Sequence, residues 1–251
     1  MKKLALMLVM ALPFVFASCG DDKEEVNVTL DQTSVDINFG GTATVKASEK
    51  GCVWSSSNDF VATVDNNGVI KAEHAGTATI TASKDGSTAT CEVTVKATNN
   101  NFNLPILDWG ATMATVKSKV TGLTLAREDA TTLAYTTNGE FPIYVYGFAN
   151  DALKASTLSV SEEMDDDKTG LDLYGFLAQR YALVSEDETS YTFADANTLT
   201  DADMAVLYTF DADSESVIAT WTPVDHTKSG EGFVNSDLHY KHIGVVRELS
   251  K

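Results

Sequence analysis

The chain has 251 residues, with 18 lysines and arginines against 36 aspartates and glutamates, so its formal charge at pH 7 is −18. That length is enough for one large or two ordinary domains, each able to bury a core. The acidic excess argues against nucleic acid as a partner, because phosphate groups need lysines and arginines to neutralise them. It also argues against direct adsorption to anionic lipid.

The first 18 residues have the layout of a secretory signal peptide. Lys2 and Lys3 precede an apolar run over residues 4–16, and small residues follow. The run is shorter than the roughly 20 residues that a membrane-spanning helix needs. We therefore expect this segment to be removed after export.

Cys19 follows Ala17 and Ser18 and resembles the lipidated cysteine of the bacterial lipobox, although Phe16 stands where leucine is usual. The resemblance implies that cleavage leaves Cys19 as a lipidated N-terminus, and the alternative is a cleaved signal peptide with a free thiol. Removal of residues 1–18 leaves 16 basic and 36 acidic residues, a net charge of −20. A covalent lipid is thus the membrane attachment that we expect.

Residues 19–25 form a short acidic tether, with the sequence CGDDKEE. Acidic residues directly after the lipidated cysteine resemble the surface-export signal of Bacteroidetes lipoproteins. The alternative is a plain solvated tether, because such a polar run does not pack. The resemblance implies an outer-membrane lipoprotein displayed at the cell surface, against a periplasm-facing one.

Short apolar–polar alternations broken by turn residues run through residues 26–97, the pattern of an all-β sandwich. The pairs Asn67-Gly68 and Asp85-Gly86 each lie between two alternating runs. Such pairs indicate hairpins, because both central residues tolerate positive φ.

Four segments of this region resemble bacterial immunoglobulin-like domains of group 2: residues 39–45, 53–72, 75–82 and 89–95. The resemblance implies a small antiparallel sandwich, common in surface adhesins and as a spacer in secreted proteins, and it does not imply catalysis. Trp54 is expected to be the core tryptophan of the sandwich. A sugar-stacking role at the surface is the alternative.

Cys52 and Cys91 share strand parity with apolar neighbours, so both are expected to point inward. An oxidising exported compartment favours their pairing as a disulfide. The alternative is two buried free thiols.

A turn-rich linker over residues 98–104 separates this region from a second domain over residues 105–251. Helical periods then appear twice, after Thr112 and after Thr169, and three strands follow each helix. Tyr146 and Tyr208 lie in matching Tyr-x-Phe motifs 62 residues apart. The sequence therefore predicts an α+β domain built from two α-β-β-β repeats.

This order of elements resembles the tandem α/β repeats of the β-lactamase-inhibitor-protein superfamily, and the alternative is an unrelated α+β domain. The resemblance implies a concave sheet that binds protein or peptide. Aromatic residues exposed on that sheet are candidate ligand contacts, and core packing is the alternative for each: Tyr144, Tyr146, Tyr208 and Trp221.

No catalytic motif is recognisable in the sequence, and we expect neither an enzyme nor a cofactor. The richest set of metal-ligand types is His239 and His242, with Asp225, His226 and Asp237 before them. The apolar spacing after them predicts a β-rich tail, which would point the two histidines to opposite faces. No metal site is therefore expected, and the acidic runs 165–167 and 211–215 are interpreted as solvated turns.

Together these features predict a surface lipoprotein that acts as a non-catalytic adhesion or binding module for an unidentified extracellular protein or glycan. A periplasm-facing protein inhibitor or envelope-assembly factor is the alternative. A polysaccharide-degrading accessory enzyme is a third possibility.

Overall fold

The computed structural model of the chain describes residues 26–161, 168–228 and 235–251. The predicted signal peptide, Cys19, the acidic tether and the acidic run 165–167 lie outside these residues. The described chain is predominantly β. None of its helices is long and apolar enough to cross a membrane.

Seven strands form the amino-terminal sandwich: β1 (Ser34–Asn38), β2 (Thr42–Thr44), β3 (Val53–Ser56), β4 (Ala62–Val64), β5 (Val69–Ala72), β6 (Gly76–Lys84) and β7 (Ser87–Lys96). One sheet has the order β1-β7-β6-β3 and the other the order β2-β5-β4. Strand β1 pairs with β7 in parallel, and the remaining pairs are antiparallel.

The two sheets enclose an apolar core that includes Ile70, Ile80 and Val93. Trp54, which the sequence predicts to be the core tryptophan, is half-buried and packs against this core. Gly68 has a positive φ of 75° in the turn between β4 and β5, and a Cβ there would lie 2.1 Å from the backbone oxygen of Val45. Only glycine fits this close approach.

Within its described residues, the second region contains three helices and eight strands: α1 (Met113–Lys119), β8 (Thr124–Asp129), β9 (Thr132–Thr137), β10 (Glu140–Ala149), β11 (Ala152–Ser161), α2 (Lys168–Ala178), β12 (Ala182–Glu186), β13 (Ser190–Ala194), β14 (Met204–Asp211), β15 (Ser216–Pro223) and α3 (Ser236–Leu249). The strands form one antiparallel sheet in the order β12-β13-β14-β15-β11-β10-β9-β8. Its central pair, β11 and β15, joins two four-stranded meanders.

Both faces of this sheet are covered near its centre. Along β10, Tyr144 and Tyr146 point to the face that carries α1 and α2, whereas Ile143 and Val145 point to the face that carries α3. Because both sides are buried, the central strands show little alternation between buried and exposed positions, and their buried residues include Thr157 and Thr220. The result is a three-layer arrangement with the sheet in the middle.

Each predicted unit of one helix and three strands is one strand short, because the part of the chain that the structure describes has four strands after α1 and four after α2. The missed strands, β8 and β12, are the two edges of the sheet. They are largely exposed and each contains charged residues, with sequences TLARED and ALVSE. Edge strands commonly carry charged residues, so they lack the apolar signal of a central strand.

The linker between the two regions is held by the carboxyl end of α2. The side-chain oxygen of Gln179 accepts hydrogen bonds from the backbone N–H groups of Thr98 and Asn99, at 2.7 and 2.9 Å. The backbone oxygen of Gln179 accepts a further bond from the N–H of Ala75 in the sandwich, at 2.8 Å. The predicted turn-rich linker is thus bound to the second region along its length.

Candidate functional site

The four aromatic residues predicted as ligand contacts are buried. Tyr144, Tyr146, Tyr208 and Trp221 are at most 7% exposed and belong to the large core beneath α1 and α2. The prediction of exposed contacts is therefore wrong. The sequence showed that these residues alternate on strands, but it did not show that helices cover that face of the sheet.

Their polar atoms are used inside the core. The hydroxyl of Tyr208 donates to the backbone oxygen of Gly170 at 2.9 Å, and Nε1 of Trp221 donates to the hydroxyl of Tyr181 at 3.1 Å. Burial raises the pKa of Tyr146 to about 12, because the phenolate is poorly solvated there. These contacts are what buried tyrosine and tryptophan require, so this face has a structural role.

The predicted β-rich tail is instead the helix α3, and this changes the position of both histidines. Asn235 caps the helix by accepting a hydrogen bond from the N–H of Leu238 at 3.4 Å. His239 and His242, three residues apart, lie on one face of the helix and are fully buried against the sheet. The spacing of 239, 242, 243 and 246 is helical and was the signal available in the sequence.

A continuous hydrogen-bonded chain joins the two histidines through threonines of the central strands. Nδ1 of His242 lies 2.7 Å from Oγ1 of Thr157, which lies 2.8 Å from Oγ1 of Thr220. Oγ1 of Thr220 is 2.7 Å from Nδ1 of His239, whose Nε2 is 3.0 Å from Oγ1 of Thr209. A neutral His239 can donate one N–H and accept one hydrogen bond in this chain, whereas His242 is bonded to it through Nδ1 alone.

The environment keeps both imidazoles neutral. Burial lowers the pKa of His239 to about 4, and the charge of Asp211 opposes this effect only in part. Burial also lowers the pKa of His242 to about 3, with smaller contributions from His239 and Lys241. Nε2 of His242 is buried without a hydrogen-bond partner, so a proton added there would have no acceptor.

His242 packs directly on the sheet at Gly147 of β10. A Cβ at Gly147 would lie 2.5 Å from Nε2 of His242 and 3.1 Å from its Cε1. The absence of a side chain at this position is what lets the imidazole approach the strand. Gly147 and His242 therefore form one packing unit between helix and sheet.

Arg247, near the end of α3, forms an ion pair with Asp211 at the end of β14. Nε of Arg247 donates to Oδ1 and Oδ2 of Asp211 at 3.0 and 3.1 Å, and Nη1 lies 2.7 Å from Oδ2 of Asp213. Burial would raise the pKa of Asp211, but hydrogen bonds from Arg247 and Ser214 outweigh it and hold the pKa below its usual value. The prediction of a solvated turn over 211–215 is wrong for Asp211, which is buried.

A groove of about 390 Å³ opens beside this ion pair, between α3, strand β14 and Thr189, which directly precedes β13. Its lining combines hydroxyl, apolar and charged side chains: Thr189, Thr209, Phe210, Asp211, Tyr240, Ile243, Gly244 and Arg247. The site is not predicted from the sequence, because a strand over residues 239–246 would not bring Tyr240, Gly244 and Arg247 to one side of the segment. The groove replaces the buried tyrosines as the candidate binding site.

The remaining predicted site residues do not gather around the groove as metal ligands. Among residues 26–161, 168–228 and 235–251, no group of three or more histidines, cysteines or carboxylates is placed to hold a metal ion. Asp225 is bonded to Thr227 in its own turn, at 2.6 Å from the hydroxyl. His226 is exposed.

Cys52 and Cys91 are both buried, as the strand parity predicted, but they are free thiols. Cys52 precedes β3 and Cys91 lies on β7, and β6 separates these strands. Two strands separated by a third are roughly 9.5 Å apart, beyond the ~7 Å limit between disulfide-bonded Cα atoms. The predicted disulfide is therefore wrong. Strand parity indicates on which face of a strand a residue lies, but it does not indicate which strands are neighbours in the sheet.

No curated protein matches this chain. Domains 1–6 of the surface layer protein SbsC are 14% identical over 79% of this chain and 21% of that one, with a TM-score of 0.25. This chain thus spans about a fifth of that structure's length.

Two further structures have the same TM-score of 0.25, which does not establish a shared fold. Domains 5–6 of the S-layer protein SbsC are 14% identical over 82% of this chain and 86% of that one. Human protocadherin-24 EC1-2 is 11% identical over 73% and 88%. The model of the bacterial Ig-like domain (group 2) matches residues 23–95. The amino-terminal region is therefore similar to bacterial Ig-like domains of group 2, as its strands and hairpins predicted.

Proposed function

We propose that this chain is a cell-envelope lipoprotein, anchored through Cys19 and displayed at the surface, that serves as a non-catalytic binding module. The observation that carries the proposal is the Ig-like match over residues 23–95, which begins four residues after the lipobox-type Cys19. An Ig-like sandwich in that position suits a spacer next to the membrane. The second region then forms the recognition end.

The non-catalytic part of the proposal is supported by the burial of His239 and His242, two of the four histidines of the chain. His239 and His242 are held by threonine hydroxyls inside the interface between helix and sheet. An imidazole with a pKa of about 4 or about 3 is a weak base at neutral pH. Both residues therefore serve packing in this fold.

We also infer that the second region is a tandem repeat of one helix and four strands, in keeping with its resemblance to inhibitor-type α/β repeats. Tyr146 and Tyr208 each lie on the third strand of their unit and in the same core. The two units meet at the antiparallel pair of β11 and β15. An approximate two-fold relation of this kind is expected of a duplicated unit.

Lipid attachment is tested by growing cells with a labelled fatty acid and following the label after Cys19→Ala. The expected result is that this variant loses both the label and its fractionation with membranes, whereas the matched Cys52→Ala variant keeps both. Label retained after Cys19→Ala would overturn the anchor.

Surface display is tested separately by treating intact cells with a protease. A displayed chain is degraded while a periplasmic marker survives. Protection of the chain in intact cells, followed by degradation after the outer membrane is opened, would instead support the periplasm-facing inhibitor or assembly factor.

A further inference from the structure

The groove beside α3 has a lining whose formal charges are already paired. Its two charged residues, Arg247 and Asp211, bind each other through several hydrogen bonds. Arg247 also contacts Asp213 at 2.7 Å, so two carboxylates face one guanidinium. An anionic ligand would meet no unpaired cation here, and the buried carboxylate of Asp211 is already bound to Arg247.

Helix α3 leaves a notch in the wall of this groove. Gly244 lies in the interior of the helix and is exposed, and a Cβ built on it would have no atom within 4 Å. Packing therefore does not require glycine at this position. Glycine is among the least favourable residues inside a helix. Open space for a ligand is a reason for glycine at position 244.

An aromatic side chain stands next to the notch. Tyr240, four residues before Gly244, is 66% exposed and lines the groove. Residues 240, 244 and 247 follow one another along one side of the helix. An exposed aromatic ring, a notch and a guanidinium thus lie in a row, with Thr189 and Thr209 also lining the groove.

We propose that this groove binds a neutral saccharide. Sugar hydroxyls donate to carboxylates and accept from guanidinium N–H groups, so the paired Arg247 and Asp211 of the lining can serve them without a net charge on the ligand. The apolar face of a sugar ring packs on an aromatic side chain such as Tyr240. The volume of about 390 Å³ falls within the range of small-ligand sites. This inference rests on the proposed binding function and names its ligand class.

The test uses the full chain, purified in detergent, on an array of neutral and uronic-acid-containing glycans, with each hit measured by calorimetry. Tyr240→Ala removes the ring, and Gly244→Leu fills the notch with a good helix former. Leu171→Ala on α2 is the matched control, because this side chain is 68% exposed on the other face of the sheet. Circular dichroism confirms that each variant is folded.

The expected result is binding of a neutral glycan that weakens at least tenfold in both groove variants, stays unchanged in Leu171→Ala and varies little with salt. A blank array, or binding only to uronic-acid glycans, would overturn the assignment. Affinity retained in both groove variants would do the same. If the array is blank and protease degrades the chain on intact cells, only the saccharide assignment is contradicted. Protection from protease contradicts surface display whatever the array shows.

Discussion

Acidification is expected to destabilise the second region well before its carboxylates titrate. His239 and His242 have pKa values of about 4 and about 3 in the folded chain, against roughly 6.5 in an unfolded one. As the pH falls below 6.5, the unfolded chain binds two protons that the folded chain does not. The free energy of unfolding therefore falls as the pH falls.

The size of the effect follows from these values. Each histidine contributes roughly 1.36 kcal/mol per pH unit once the pH lies below 6.5 and above the folded pKa. Two histidines thus remove about 4 kcal/mol between pH 7 and pH 5. Domains are commonly stable by about 5–15 kcal/mol, so this loss is a large part of the total.

Urea denaturation at pH 7, 6 and 5, followed by tryptophan fluorescence, measures this change, since Trp221 lies in the core of the second region. The double variant His239→Gln and His242→Gln should lose most of the dependence, whereas His74→Gln in the sandwich should keep it. Carboxylates with lowered pKa values, such as Asp211, lose their contribution only below about pH 4. A stability that is flat from pH 7 to pH 5, or equally steep in the double variant, would refute the reasoning.

Three further changes have defined outcomes. Gly147→Ala should destabilise the chain by about 1–3 kcal/mol through its contact with His242, and adding His242→Ala should relieve part of the loss in a double-mutant cycle. Gly244→Ala should raise the free energy of unfolding by up to about 1 kcal/mol, and Gly175→Ala in α2 is its matched control. Gln179→Ala should loosen the linker, seen as faster proteolysis between the two regions and a larger radius in X-ray scattering, with unchanged unfolding of each region.

The sandwich was predictable because its signals are local. Hairpins at Asn67-Gly68 and Asp85-Gly86 depend on two residues each, and both lie between strands in the structure. The pairing of Cys52 with Cys91 failed because it depends on the order of strands in the sheet. Strand order is a property of the whole domain, and it cannot be inferred from the fact that two cysteines point inward.

The second region was less predictable because its layers are non-local. Tyr144 and Trp221 alternate as strand residues do, but their burial is decided by helices elsewhere in the chain. The prediction of a β-rich tail is wrong because it rests on the apolar spacing alone, whereas the buried face of this segment also includes His239 and His242. When His239 and His242 are included among the buried residues, the spacing of the buried positions is that of a helix.

The buried histidines also determine where the candidate groove lies. Positions 239, 242, 243 and 246 of α3 face the sheet, and this fixes positions 240, 244 and 247 along the groove side. An apolar face alone would let the helix rotate or slide by a turn at small cost. The chain from His242 through Thr157 and Thr220 to His239 accepts one register, because any other leaves buried hydroxyls unpaired. The polar interface on one side of α3 therefore sets the positions of Tyr240, Gly244 and Arg247 on the other.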